Sequence, residues 1–168
     1  MLGEKLPSDF KWISSTQSPL MLLPRALARA WDGAAGGNFA VLDDLCEPLV
    51  CIPVSHGHAL VLEDGFHTSW WPEPLTGGGM LVRTLWASSA QTVRAAVQTI
   101  DEDAWMPEPF HFDSCDGAVG LFPAVDAAMA ASDVLSFHVA PGKHVVLSAN
   151  VEPDPSTCLI VHRLLPLH

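Results

Sequence analysis

Residues 143–164, KHVVLSANVEPDPSTCLIVHRL, constrain the fold more than any other stretch. Two β-rich runs, KHVVLSANV and TCLIVHRL, are joined only by EPDPS at Glu152–Ser156. So short a connection returns the chain antiparallel. Pro141-Gly142 makes a tight turn between the first run and the preceding DVLSFHVA, so the three runs read as an antiparallel meander. Along KHVVLSANV, Val145, Leu147, Ala149 and Val151 share one face, and His144, Val146, Ser148 and Asn150 share the other. That alternation predicts one face on a core and one half wet.

The rest of the chain repeats this grammar of short apolar runs between turns, with 14 prolines and 12 glycines scattered among them. PLMLLP (19–24) is bounded by proline at both ends and predicts a buried strand, with Ser14, Ser15 and Thr16 as its polar lead-in and Trp12 and Ile13 packed beside it. RALARAWDG predicts one or two helical turns stopped at Gly33. LVCIPV (Leu49–Val54) and HALVLED (His58–Asp64) predict a hairpin turning at Ser55-His56-Gly57. FHTSWWPEP is a further extended piece, and TGGG is a turn ahead of the strand MLVRTLWA, Met80–Ala87. In that strand Leu81, Arg83 and Leu85 point one way, and Met80, Val82, Thr84 and Trp86 the other.

The period changes once. In SSAQTVRAAVQTI, Val93, Ala96, Val97 and Ile100 recur at helical spacing, with Ser88 or Ser89 as N-cap. An acidic loop, DEDAWMPEP, follows; FHF and AVGLF then read as strands and AVDAAMAA (124–131) as a short helix. The fold class is α+β: mostly antiparallel β-sheet, with one clear helix and one or two short ones, expected as a single domain over 1–168.

Composition sets bounds on function. Hydrophobic residues make up 49% and charged residues 16%, which supports a packed core rather than disorder. The apolar runs fall well short of the ~20 residues a membrane helix needs, and the N-terminus lacks a signal-like pattern, so a cytoplasmic protein without membrane contact is expected. Nineteen Asp and Glu against eight Lys and Arg give a formal net charge of -11. Such a chain has no basic stripe to displace counterions from nucleic acid, and its field suits a basic protein partner.

Candidate chemistry is sparse. Cys46, Cys51, His56 and His58 are soft ligands within thirteen residues, but they lack the paired C-x2-4-C knuckle of structural zinc. Together they define an alternative reading as a small metal- or thiol-dependent enzyme. The four cysteines, including Cys115 and Cys158, are expected as free, buried thiols. FHFDSCDG brings His111, Asp113, Ser114, Cys115 and Asp116 together without a known catalytic signature. Ser14 and Ser15 have no G-x-S-x-G elbow, and the Gly77–Gly79 run leads into a strand rather than a phosphate-binding helix. No catalytic residue, metal or cofactor is assigned. A third reading is an assembly module that dimerises through a sheet edge. Six tryptophans and no tyrosine shift attention to binding. Trp70 and Trp71 point to opposite sides of an extended segment, which reads either as two core-edge aromatics or as at least one tryptophan exposed or at a rim, where it would anchor an interface.

The ordered set WISSTQSPLMLLP, WDG, CIPVSHGHALVLED, GGGMLVRTLWA and PGKHVVLSANVEPDPSTCLIVHRL resembles the immunity protein 21 family from about Lys11 to Leu165. The resemblance implies a small, non-enzymatic cytoplasmic protein, found beside a toxin gene in bacterial polymorphic toxin systems, that neutralises the cognate toxin. Two turns depart from the family pattern. Thr16-Gln17-Ser18 stands where a glycine pair is usual, and Glu63-Asp64-Gly65-Phe66 where a glycine-acidic-proline turn is usual. Loops of this kind are where partner specificity varies. A basic toxin would be steered by Glu63, Asp64, Glu73, Asp101, Glu102 and Asp103 and anchored by Trp70, Trp71 and Trp105.

Overall fold

A computed structural model describes residues 2–168. The strands are β1 (Trp12–Ile13), β2 (Leu20–Pro24), β3 (Leu49–Val54), β4 (Gly57–Leu62), β5 (His67–Glu73) and β6 (Gly78–Trp86). The helix α1 (Ala90–Gln98) follows, then β7 (Met106–Asp113), β8 (Ala118–Pro123), β9 (Leu135–His138), β10 (Lys143–Asp154) and β11 (Thr157–Pro166). Short 3₁₀ turns fill part of the β2–β3 connection. The expected α+β class with mostly antiparallel sheet is what the chain adopts.

The strands form two antiparallel sheets. One runs β1-β5-β6-β11-β10-β7, the other β3-β4-β2-β8-β9. An inner core lies between them, where Leu20, Leu22, Leu60 and Leu62 of the smaller sheet meet Ile13, Trp70, Leu81, Phe112, Val146 and Leu164 of the larger. The outer face of the smaller sheet is covered by the 3₁₀ segments through Leu27, Trp31 and Leu42. The outer face of the larger sheet is covered by α1 through Val93, Ala96 and Val97. This layering explains PLMLLP: β2 is central, so Leu20 and Leu22 face the inner core while Met21 and Leu23 face the 3₁₀ layer. A strand buried on both faces reads as a continuous apolar run.

Local chemistry sets several boundaries. Ser89 is the helix cap, its Oγ accepting the Thr92 N–H at 3.1 Å. The β3–β4 hairpin turns at Ser55, whose φ is 54°. The glycine run is not all turn: Gly78 and Gly79 open β6. A Cβ on Gly79 would lie 2.5 Å from Cζ2 of Trp70, so the indole packs where a side chain would stand.

Four expectations are corrected. First, β9 does not join β10 and β11; it pairs with β8 in the other sheet, leaving β10–β11 as a hairpin. The crossing is held by Val139 N–H to Gly117 O at 2.9 Å and Ala140 N–H to Gly77 O at 2.7 Å. Second, 124–131 forms turns rather than a helix. Its backbone bonds outward, with Ala128 N–H to Trp31 O at 3.0 Å and Val125 O accepting from Ala34 N–H at 2.9 Å, which removes partners a helix would need. Third, β10 does not have one buried face. Val146 is buried between the sheets and His144 is buried with it, whereas Ala149 is buried on the face it shares with Val151, which packs in part on the helix side. Fourth, neither member of the tryptophan pair is at a rim. Trp70 and Trp71 are 8% and 6% exposed, on opposite faces of β5 as expected, and stack on Phe137 and Phe10.

Candidate functional site

The end of the sandwich where β3 begins and β7 begins carries a trough of three adjoining clefts. The central one, ≈ 390 Å³, opens between the two sheets and includes Glu47, Leu49, Ala104, Met106, Glu108 and Asn150 in its lining. It shares Glu47 with a cleft of ≈ 230 Å³ that reaches Glu63 and Asp64. It shares Ala104 and Asn150 with another of ≈ 270 Å³ that reaches Asp101 and Glu152. The walls of all three hold carboxylates and no lysine or arginine. Glu63-Asp64 and Asp101, far apart in sequence, therefore line clefts at either side of the central one.

Beneath the central cleft runs a hydrogen-bonded chain of polar side chains. Ser148 on β10 donates its hydroxyl to Oε1 of Glu108 on β7 at 2.6 Å. Its Oγ also lies 2.7 Å from Nδ1 of His162 on β11, and Nε2 of His162 lies 3.2 Å from Nη1 of Arg83 on β6. A guanidinium only donates, so Nε2 is the acceptor and the ring proton sits on Nδ1, donated to Ser148. A general base would instead have to take the Ser148 proton. Here the basic nitrogen of the imidazole is occupied by Arg83, and the serine proton belongs to Glu108. The pair has the atoms of a Ser–His dyad with the opposite proton order.

Arg83 is wholly buried. It donates to Pro48 O at 2.9 Å and Glu63 O at 2.5 Å and lies 4.5 Å from the centre of the Phe66 ring. Burial lowers its pKa to about 10, which still leaves it protonated at neutral pH. Burial, reinforced by Arg83, pushes His162 well below the ordinary histidine value of 6.5. Burial also lowers His144. Both therefore stay neutral in the fold where the unfolded chain would take up protons, so stability falls as pH drops below 6.5 toward each depressed folded value. Each contributes a slope of up to about 1.4 kcal/mol per pH unit in that window. Urea midpoints at pH 7.5, 6.5 and 5.5 are expected to fall in that order, less steeply in His162→Gln.

The remaining predicted residues fall elsewhere or in new company. Glu73, Glu102 and Trp105 gather around Arg163. Glu73 pairs with it bidentately at 2.7 and 2.9 Å, Trp105 lies 5.8 Å from its guanidinium, and Glu102 adds to its field. Glu63, Asp64, Asp101 and Asp103 are exposed, and Trp105 is half-buried. Ser14 and Thr16 are exposed, and Ser15 accepts the Ser18 N–H at 3.3 Å, the expected polar lead-in to β2.

The two cysteine–histidine segments meet. Cys51, His56, His58, His111, Asp113 and Cys115 line one cleft of ≈ 420 Å³, together with Lys143. Cys46 is not among them; it is exposed and lies by the acidic trough. All four cysteines are free thiols as expected, but none is buried: Cys46 is exposed and the others are half-buried, because each lies at a margin of an apolar cluster or outside it. Burial raises the Cys51 and Cys115 thiols, and Asp113 and Asp116 raise Cys115 further, which disfavours the nucleophilic thiolate. Among the described residues, no group of three or more His, Cys, Asp or Glu is arranged to hold a metal ion.

Glu47, Met106, Glu108 and Ser148 were not singled out by sequence reasoning. The legible signal was Arg83, a lone cation in the apolar strand MLVRTLWA, which must bring buried acceptors with it.

The sequence model of the family Immunity protein 21 matches residues 11–157. The chain belongs to the immunity protein 21 family. No curated protein and no solved structure matches it. The family match ends where β11 begins, so Ile160 and His162 of the central cleft and Arg163 of the Glu73 cluster lie beyond it. Glu47, Glu63, Asp64, Glu108 and Ser148 lie within it.

Proposed function

We propose that this protein is a toxin-neutralising immunity protein that acts in the bacterial cytoplasm by binding and inhibiting a cognate toxin, without catalysis. The observation that carries this reading is family membership over residues 11–157. The trough supports it physically: its walls carry carboxylates and no lysine or arginine, with Arg83 buried behind them, and a concave surface of that sign speeds encounter with a basic partner. In this reading Glu63, Asp64, Asp101, Glu102 and Asp103 provide the field, Trp105 provides an anchor, and Glu73 holds Arg163 beneath it. Trp70 and Trp71 act from behind, packing β5 in place.

The experiment is co-expression with the product of the neighbouring toxin gene. A stoichiometric complex and rescue of growth are expected; a folded toxin that neither co-purifies nor is neutralised would overturn the reading. Charge reversal at Asp101 and Asp103 together is expected to weaken the complex by more than about 1 kcal/mol, mainly through a slower on-rate, with the difference shrinking at high salt. Stopped-flow association at two ionic strengths measures both.

A further inference from the structure

We propose that the central cleft is the docking site for an arginine-bearing segment of a basic protein partner, with the guanidinium between Glu47 and Glu108 and an apolar neighbour against Met106. That the partner is a protein rests on the function proposed above; the site itself rests on the cleft.

The cleft is a groove rather than a charged bulge. Leu49 and Ile160 contribute apolar wall from the two sheets, and Met106 stands 66% exposed at the start of β7. Glu47 precedes β3 of one sheet and Glu108 lies on β7 of the other, so the two residues line the cleft from opposite sheets. Ser148 pins Oε1 of Glu108, and Oε2 takes no hydrogen bond among the described residues. Both nitrogens of His162 are already engaged, so the imidazole offers the occupant no further donor. Arg83 lies behind that ring, so two carboxylates face the cleft against one screened cation. Half-burial strengthens charge–charge contact at Glu108, and a planar guanidinium can bridge carboxylates where an ammonium is a single point charge. The cysteine–histidine cleft lacks this complementarity because Lys143 lines it.

The test titrates the full-length, isotope-labelled chain with hexa-arginine and hexa-lysine peptides, read by amide chemical shifts. Shifts are expected to centre on residues 104–108 and 148–150, with hexa-arginine binding at least threefold tighter than hexa-lysine. The pair E47Q/E108Q is expected to weaken hexa-arginine at least tenfold. The pair E4Q/D133N removes the same charge at exposed positions outside the trough and is expected to change binding less than twofold. Equal weakening by both pairs, or shifts centred elsewhere, would overturn the site and leave only diffuse attraction to an acidic surface. If hexa-arginine maps here but the neighbouring toxin does not co-purify, the docking site stands and the proposed function falls. If the toxin binds and E47Q/E108Q leaves its affinity unchanged, the reverse holds.

Discussion

Replacing Arg83 with alanine is expected to cost the fold about 3–5 kcal/mol, a large share of the margin of a typical domain. The side chain donates to Pro48 O, Glu63 O and His162 Nε2. Pro48 immediately precedes β3 and Glu63 immediately follows β4, so one guanidinium ties the open end of the β3–β4 hairpin to the larger sheet. Each bond involving a charged donor contributes about 1.5–3 kcal/mol, set against the several kcal/mol that burying the charge costs. Alanine removes the charge but leaves Glu63 O and His162 Nε2 without these partners, and it leaves a void. Pro48 O keeps one partner, the Glu63 N–H at 3.1 Å, which holds the estimate below the full sum. Urea unfolding measures the loss. Arg83→Met fills much of the same volume without the charge, so a variant within about 1 kcal/mol of wild type would mean the three bonds only offset the burial. Arg83→Lys is expected to resemble alanine more than arginine, because one ammonium cannot reproduce the planar fork.

Trp31→Ala is expected to destabilise by about 3–5 kcal/mol, the range for truncating a buried large aromatic. The indole is 2% exposed in the outer cluster of the smaller sheet, and its Nε1 donates to Ala124 O at 2.9 Å. The same residue's carbonyl accepts the Ala128 N–H, and two positions on Gly33 takes φ 67°. A Cβ on Gly33 would lie 2.5 Å from the carbonyl carbon of Asp126, so WDG and the 124–131 turns are built against each other. Trp31→Phe keeps most of the packing and loses the indole hydrogen bond; about 1–2 kcal/mol is expected. Urea midpoints of the two variants separate packing from the polar contact. Loss of protection of the 124–131 amides in hydrogen exchange, confined to Trp31→Ala, would show that this loop depends on the tryptophan.

The site was legible in part. The acidic positions were visible as charge in turns. That Glu63-Asp64 and Asp101 line adjoining clefts was not legible, because it depends on segments beside two different sheets meeting at Glu47 and Ala104. Ser148 and Asn150 looked like positions on one face of an alternating strand. The partners of Ser148 come from other strands at 14 and 40 residues' separation, and alternation carries no information about them.

Periodicity by itself determined the β-rich runs, the β3–β4 and β10–β11 hairpins and the one capped helix, since each rests on contacts within a few residues of chain. The tertiary structure decided what depends on partners distant in sequence. It sent β9 to the second sheet and drew the backbone of 124–131 to Trp31 in place of a helix. It buried Trp70 and Trp71 on opposite faces of β5, because the inner core and the helix layer cover both sides of that strand. Side-chain alternation says that a strand has two faces; only the packing of the layers says which of them water reaches.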